Sequence, residues 1–164
     1  MPGIRVEIIE SPLFLEDFLK DAASPEQGGE CSFVGRVRRR NLGREVKGVA
    51  YDVHEVLAKR SLEKIAEEAR QRFETDAHVT IVHRQGYLEV GEASVLVAAS
   101  CRHRHEAFVL CRYVIDELKH RTPIWKKEYY SDGESEWVQG HALCQHRQED
   151  PHLSHAHESS SAHQ

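Results

Sequence analysis

Pro123 restricts the course of this chain more than any other residue. Proline has no amide donor and disfavours helical geometry in the residue before it, so a helix arriving there must stop and Thr122 must be extended. Upstream, Ala107, Phe108, Cys111, Ile115 and Leu118 recur at helical spacing and predict a buried face on a helix over 104–121. Lys119 then lies in the last helical turn and Lys126 on an extended segment just beyond it. The turn between them can bring both ammonium groups to one place. Two amines in one pocket repel each other, which lowers a lysine pKa towards the range useful for proton transfer or nucleophilic attack. Spacing alone also allows a plainer account, a lysine complementing the helix dipole and another on an edge strand.

The rest of the chain alternates between a period of two and a period of 3.6. Residues 3–9 predict a strand, and Ser11-Pro12 a helix start, with serine as the cap and proline in the first helical position. Leu13, Phe14, Leu15, Phe18 and Leu19 would give that helix its apolar face. A strand over 30–38 puts Cys31, Phe33, Gly35 and Val37 on one side. Asn41-Leu42-Gly43 reads as the tip of a turn, and Val49, Tyr51 and Val53 alternate in the next strand. Leu62, Ile65, Ala66, Ala69 and Phe73 predict a helix over 55–73. Strands at 78–83 and 94–100 join through Gly86 and Gly91, and strands at 124–130 and 137–138 flank Ser131-Asp132-Gly133. Mixed strands and helices, with hairpin-like pairs at both ends, predict an α+β fold rather than a doubly wound parallel sheet.

A chain of 164 residues is long enough for one domain with a real core. It has no run of 18 apolar residues, and its first residues lack the basic and apolar blocks of a secretory signal, so a cytoplasmic protein is expected. Cys31, Cys101, Cys111 and Cys144 show no CxxC spacing and read as reduced thiols rather than a disulfide frame or zinc site. Six of the twelve histidines fall in residues 141–164, among Ser, Gln and Ala. That composition predicts a disordered tail after a domain over 1–140. His152, His155, His157 and His163 fit no compact metal site.

The net charge of −5 argues against a general nucleic-acid binder. Local basic groups stand out against it: Arg36, Arg38, Arg39, Arg40, Arg44 and Lys47 occupy twelve residues with one acid, Glu45. Strict alternation would put Arg36, Arg38 and Arg40 on the face opposite Phe33 and Val37. Their guanidinium forks suit phosphate oxygens, although a solubilising or RNA-touching loop has the same charge. His103-Arg104 precedes the helix over 104–121, where free amides and an adjacent arginine make an anion site. His83-Arg84, at a strand end with no helix directly after it, reads as structural. His54 carries no assignment.

These residues also form an ordered pattern: Gly35-Arg-Val-Arg38 with Asn41-Leu-Gly43, His83-Arg-Gln-Gly86, Val90-Gly-Glu92, and His103-Arg104 with Glu106-Ala-Phe108. Asp116-Glu-Leu-Lys119, Pro123-Ile-Trp-Lys-Lys-Glu128, Gly133 and Trp137 complete it. In that order, from about Ile4 to Val138, the chain resembles the large, catalytic subunit of molybdopterin synthase. The resemblance implies an α/β-hammerhead type fold, with a mixed, mostly antiparallel sheet and two principal helices. It implies a homodimer within a heterotetramer, each copy binding a small ubiquitin-like sulfur carrier whose C-terminal Gly-Gly ends as a thiocarboxylate. The implied reaction moves two sulfurs to cyclic pyranopterin monophosphate to form the molybdopterin dithiolene, with no cofactor in this subunit. The implied catalytic residues are Lys119 and Lys126; the implied substrate-binding residues are Arg36, Val37, Arg38, His103, Arg104, Lys127 and Glu128. Alternation separates Lys127 from Lys126 and gives it a lesser role. Arg39 and Arg40 depart from the pattern, where neutral polar residues are usual. The rival reading is a non-enzymatic module that binds a ubiquitin-like tail or a phosphate ligand.

Overall fold

In the computed structural model, which describes residues 3–20, 24–73 and 75–138, the elements alternate much as the periodicities require. They are β1 (Ile4–Ile9), α1 (Glu16–Leu19), β2 (Gly29–Arg36), β3 (Arg40–Asn41), β4 (Arg44–Val53) and α2 (Glu55–Arg72). Then come β5 (His78–Arg84), β6 (Gly86–Glu89), β7 (Ala93–Cys101), α3 (Arg104–Arg121), β8 (Ile124–Tyr130) and β9 (Ser135–Val138). The expected tail over 141–164, including Cys144, lies outside the described residues.

The first sheet has the order β1-β5-β7-β2, with β1 and β5 parallel and the other pairs antiparallel. All nine residues of β7 are buried, so both faces of this sheet must be covered. On one face Val95, Val97, Ala99 and Cys101 meet the apolar stripes of α2 and α3, among them Leu62, Ile65, Leu110, Val114 and Leu118. On the other, Leu96 and Ala98 pack with Val82, Leu13 and Phe18. The second sheet runs β3-β4-β8-β9, with β6 also paired to β4, and has its own cluster of Val37, Val46, Val49, Leu88 and Tyr130. The fold is thus α+β and mostly antiparallel, with two long helices.

Four local expectations change. The first helix starts at Glu16, four residues past Pro12, with Leu15 as an N-cap that makes no side-chain cap bond. Phe14 and Phe108 are exposed rather than buried. A register shift between Gly35 and Arg36 ends the strict alternation of β2, so Val37 joins the second sheet's core instead of continuing the Phe33 row. The segment through Gly86 carries a short strand, β6, that alternation did not signal. The turn at Asn41-Leu42-Gly43 is as expected: Leu42 and Gly43 both take positive φ, as a tight two-residue hairpin loop requires. His54, without a role in the sequence, caps α2 by accepting from the Leu57 N–H, and its own N–H donates to the Pro123 carbonyl.

Gly48 lies where β4 pairs with both β6 and β8. A Cβ there would sit 2.2 Å from the Tyr87 hydroxyl and 2.7 Å from the Leu88 carbonyl oxygen, and the latter is backbone that cannot rotate away. Gly48→Ala is expected to destabilise the protein by about 1–3 kcal/mol, read as a lower urea midpoint with an unchanged denaturant slope.

Candidate active site

Pro123 ends α3 as expected. Thr122 is extended (φ −88°, ψ 135°), and its N–H still donates to the Leu118 carbonyl, so the helix closes and the chain turns at once into β8. Val53 pairs with Ile124, which ties the turn to the end of β4. Lys119, in the last turn, and Lys126, on β8, thereby line one cavity of about 490 Å³. Arg36, Arg38, Tyr51, His83 and Thr122 line it too, with an apolar wall that includes Phe33, Val95, Leu118 and Ile124. The register shift after Gly35 is what lets Phe33, Arg36 and Arg38 all reach it.

Lys126 is held from behind. Its Nζ lies 2.6 Å from Glu128 Oε1, two residues along the same face of β8, and the carboxylate is fully buried. Asn41 Nδ2 donates to both carboxylate oxygens at 3.0 Å, and the Tyr130 hydroxyl donates to Oε2 at 3.0 Å. Burial alone would raise the Glu128 carboxyl, but the bonds from Lys126, Asn41 and Tyr130 outweigh it and hold the group below the usual carboxylate range. Arg38 Nη2 donates to Asn41 Oδ1 at 3.4 Å, so the same asparagine links two cations of the cavity. Arg36 donates to the Gly91 carbonyl at 3.1 Å.

His83 lines the same cavity. Its Nδ1 is 2.7 Å from the Arg84 carbonyl oxygen, and Tyr51 meets the ring edge-on at 5.0 Å between centroids. Burial pushes its pKa down to about 4; the Arg84 carbonyl opposes this and the nearby Lys119 charge adds to it. Thr122 has a buried hydroxyl oxygen with no hydrogen-bond partner among the described residues, a group that a polar ligand would satisfy. The thiols offer less chemistry. Burial pushes Cys101 up to about 11 and Cys111 up to about 12, so both stay protonated at neutral pH.

The sequence matches the family described as MoaE protein over residues 8–121. It is 43% identical to the molybdopterin synthase catalytic subunit of Synechococcus elongatus, over 87% of each chain. The protein of the same name from Pyrococcus abyssi is 38% identical over 83% of this chain and 92% of its own. The chain belongs to the MoaE family. Among solved structures, molybdopterin synthase from Staphylococcus aureus superimposes with a TM-score of 0.77 at 31% identity, covering 81% of this chain and 96% of that one. A complex of subunits 1 and 2 of molybdopterin-converting factor from Helicobacter pylori matches with a TM-score of 0.68 at 26% identity, over 82% of this chain and 90% of that one.

Within this MoaE-family chain, the residues expected at one site divide. Arg36, Arg38, Lys119 and Lys126 meet at the cavity. Val37 does not line it, being buried in the second sheet's core, and Glu128 stands behind Lys126 rather than on the cavity surface. Lys127 points to the other face of β8, as alternation required, with its Nζ over the rings of Tyr129 and Trp137 at 5.4 and 5.6 Å. His103 and Arg104 are exposed at the start of α3, about 22 Å along the helix axis from Lys119. The pair His83-Arg84 splits. Arg84 is structural, bonded to Glu92 and the Glu10 carbonyl, while His83 faces the cavity with Tyr51. Period two along β5 was the available signal for His83, since it continues the row of Val79 and Ile81 past the helices that cover them.

His83 also sets a pH dependence. Its native pKa, about 4, lies below the ordinary 6.5, so the unfolded chain binds the proton first as pH falls. The stabilisation is complete above about pH 6.5 and is lost on acidification towards pH 4, roughly 3 kcal/mol in all. Urea unfolding at pH 7 and at pH 4.5 should show a smaller acid loss for His83→Gln than for the wild type.

Proposed function

We propose that this chain is the catalytic subunit of a molybdopterin synthase. It transfers two sulfurs in succession, from a thiocarboxylated ubiquitin-like carrier to cyclic pyranopterin monophosphate, to form the molybdopterin dithiolene. The observation that carries this reading is Lys119 and Lys126 on one cavity with Arg36 and Arg38. Opening a cyclic phosphate and adding sulfur needs cations against the phosphate and the developing charge, and a group that moves protons near neutral pH. Arg36 and Arg38 take the phosphate, for which planar guanidinium forks are suited. Lys126, its charge balanced by Glu128, orients the substrate. Lys119 is the essential amine, as acid and base or by transient covalent capture of the carrier tail. High thiol pKa values at Cys101 and Cys111 favour sulfur arriving on the carrier rather than on these cysteines.

An apolar groove of about 420 Å³ shares Phe33 and Lys119 with the cavity and is lined further by Cys31, Phe108 and Ile115. A Gly-Gly tail, without side chains, fits such a groove and would bring its terminal carbon to Lys119. The Helicobacter pylori structure, a complex of two different subunits, supports a partner subunit. His103 and Arg104 lie too far from Lys119 along α3 to serve the same cavity within one copy. A second copy supplies them, so the active unit is a dimer with a carrier at each site, and residues 1–140 contain everything it needs.

Purified chain mixed with thiocarboxylated carrier and cyclic pyranopterin monophosphate should yield dithiolene-bearing molybdopterin. Lys119→Ala should abolish the product while still binding the carrier. Carrier binding with no product from the wild type would instead support a non-enzymatic binding module. Cross-subunit sharing has its own test. Lys119→Ala and Arg104→Ala proteins, inactive or nearly so alone, should recover turnover when unfolded and refolded together, because mixed dimers contain one intact site. No recovery in verified mixed dimers would assign His103-Arg104 to another role.

A further inference from the structure

The charged groups that line the cavity only donate hydrogen bonds, while the Tyr51, Ser94 and Thr122 hydroxyls can donate or accept as they rotate. Arg36, Arg38, Lys119 and Lys126 have no acceptor atoms on their charged heads. Such a wall attracts phosphates of many kinds and does little to tell one attached ring from another. His83 is different. A carbonyl oxygen can only accept, so the 2.7 Å contact with Arg84 O puts the proton on Nδ1 and leaves Nε2 as a bare acceptor. Arg84 O is the one hydrogen-bond partner of this ring among the described residues, and the residue lines the cavity. Tyr51, edge-on, and the β5 backbone hold the ring in place. The Lys119 charge disfavours a second proton, and burial does so more strongly. The ring is therefore a fixed, neutral acceptor at neutral pH.

Resting on the reading of the cavity as the pyranopterin site, we propose that His83 is its specificity-determining residue: Nε2 accepts a hydrogen bond from an N–H donor of the bound reduced pterin. The cations hold the phosphate; His83 reads the heterocycle. A buried acceptor left unpaired disfavours any phosphate ligand whose ring lacks the donor, which is discrimination that charge cannot supply.

The test is binding without turnover, in the wild-type protein under anaerobic conditions and without carrier, so that no sulfur donor is present. Cyclic pyranopterin monophosphate is titrated by calorimetry, and histidine ring nitrogens are followed by 15N NMR. The expected results are an upfield shift of the His83 Nε2 resonance on binding, with Nδ1 remaining protonated. His83→Phe should weaken affinity by roughly ten- to a hundredfold, and His83→Gln, which retains an acceptor, should restore part of it. An unmoved Nε2 resonance in a saturated complex would overturn the proposal, as would unchanged affinity in His83→Phe. The NMR arm needs no His83 variant and stands even if His83→Phe does not fold. If the parent protein does not bind the pterin at all, the site assignment is what fails.

Discussion

A strand with no solvent-facing side has to be covered twice, and β7 is such a strand. Covering one face fixes α2 and α3 against Val95, Val97 and Ala99; covering the other draws in Leu13 and Phe18. Because α3 must lie on this sheet, its C-terminal end is carried to the sheet margin where β5 ends at His83-Arg84. The abrupt stop at Pro123 then sends the chain into the second sheet rather than back into solvent. The cavity is what remains between the end of α3, the end of β5 and the start of β8. Its walls belong to elements that are rigid for reasons of packing, which suits a site that must hold a substrate and a carrier terminus in one geometry.

Charge in this cavity is arranged, not merely accumulated. Glu128 is buried and would be costly alone, yet three donors converge on it and one of them is Lys126. The asparagine that completes its shell sits beside a hairpin loop with two positive φ residues, and it also binds Arg38. Thus the turn at Leu42-Gly43, remote from any chemistry, sets the position of two cations. Arg44 reinforces the same corner by stacking on Tyr130, 3.6 Å from the ring centroid, while paired with Asp132, Glu134 and Glu136. Of the basic run in the sequence, Arg44 is therefore structural, Arg36 and Arg38 line the cavity, and Arg39 and Arg40 are exposed and do not line it.

The long helices and the Lys119–Lys126 turn were legible in the sequence because each depends on local chemistry, a hydrophobic period or a proline that cannot continue a helix; the mostly antiparallel sheet came from the family resemblance. Residue pairing across distance was not. Alternation predicted the faces of Lys126 and Lys127 within one unbroken strand, but failed at Val37, where one register shift turns the chain over. Glu128 looked like a substrate ligand because it shares a motif with Lys126; only its burial shows that it serves the lysine instead. For His83, period two gave the face of β5 but not where the covering helices end, so a core histidine and a cavity wall looked alike.

What the sequence determined by itself was the set of charges and the points at which the backbone must turn, since both follow from side-chain type and from proline and glycine geometry. What tertiary structure alone decided was which other groups join the two lysines. Arg36, Arg38 and the neutral His83 reach Lys119 and Lys126 because packing on β7 brings separate chain segments to one margin, whereas His103 and Arg104, on the same helix as Lys119, are kept away by the helix's own length.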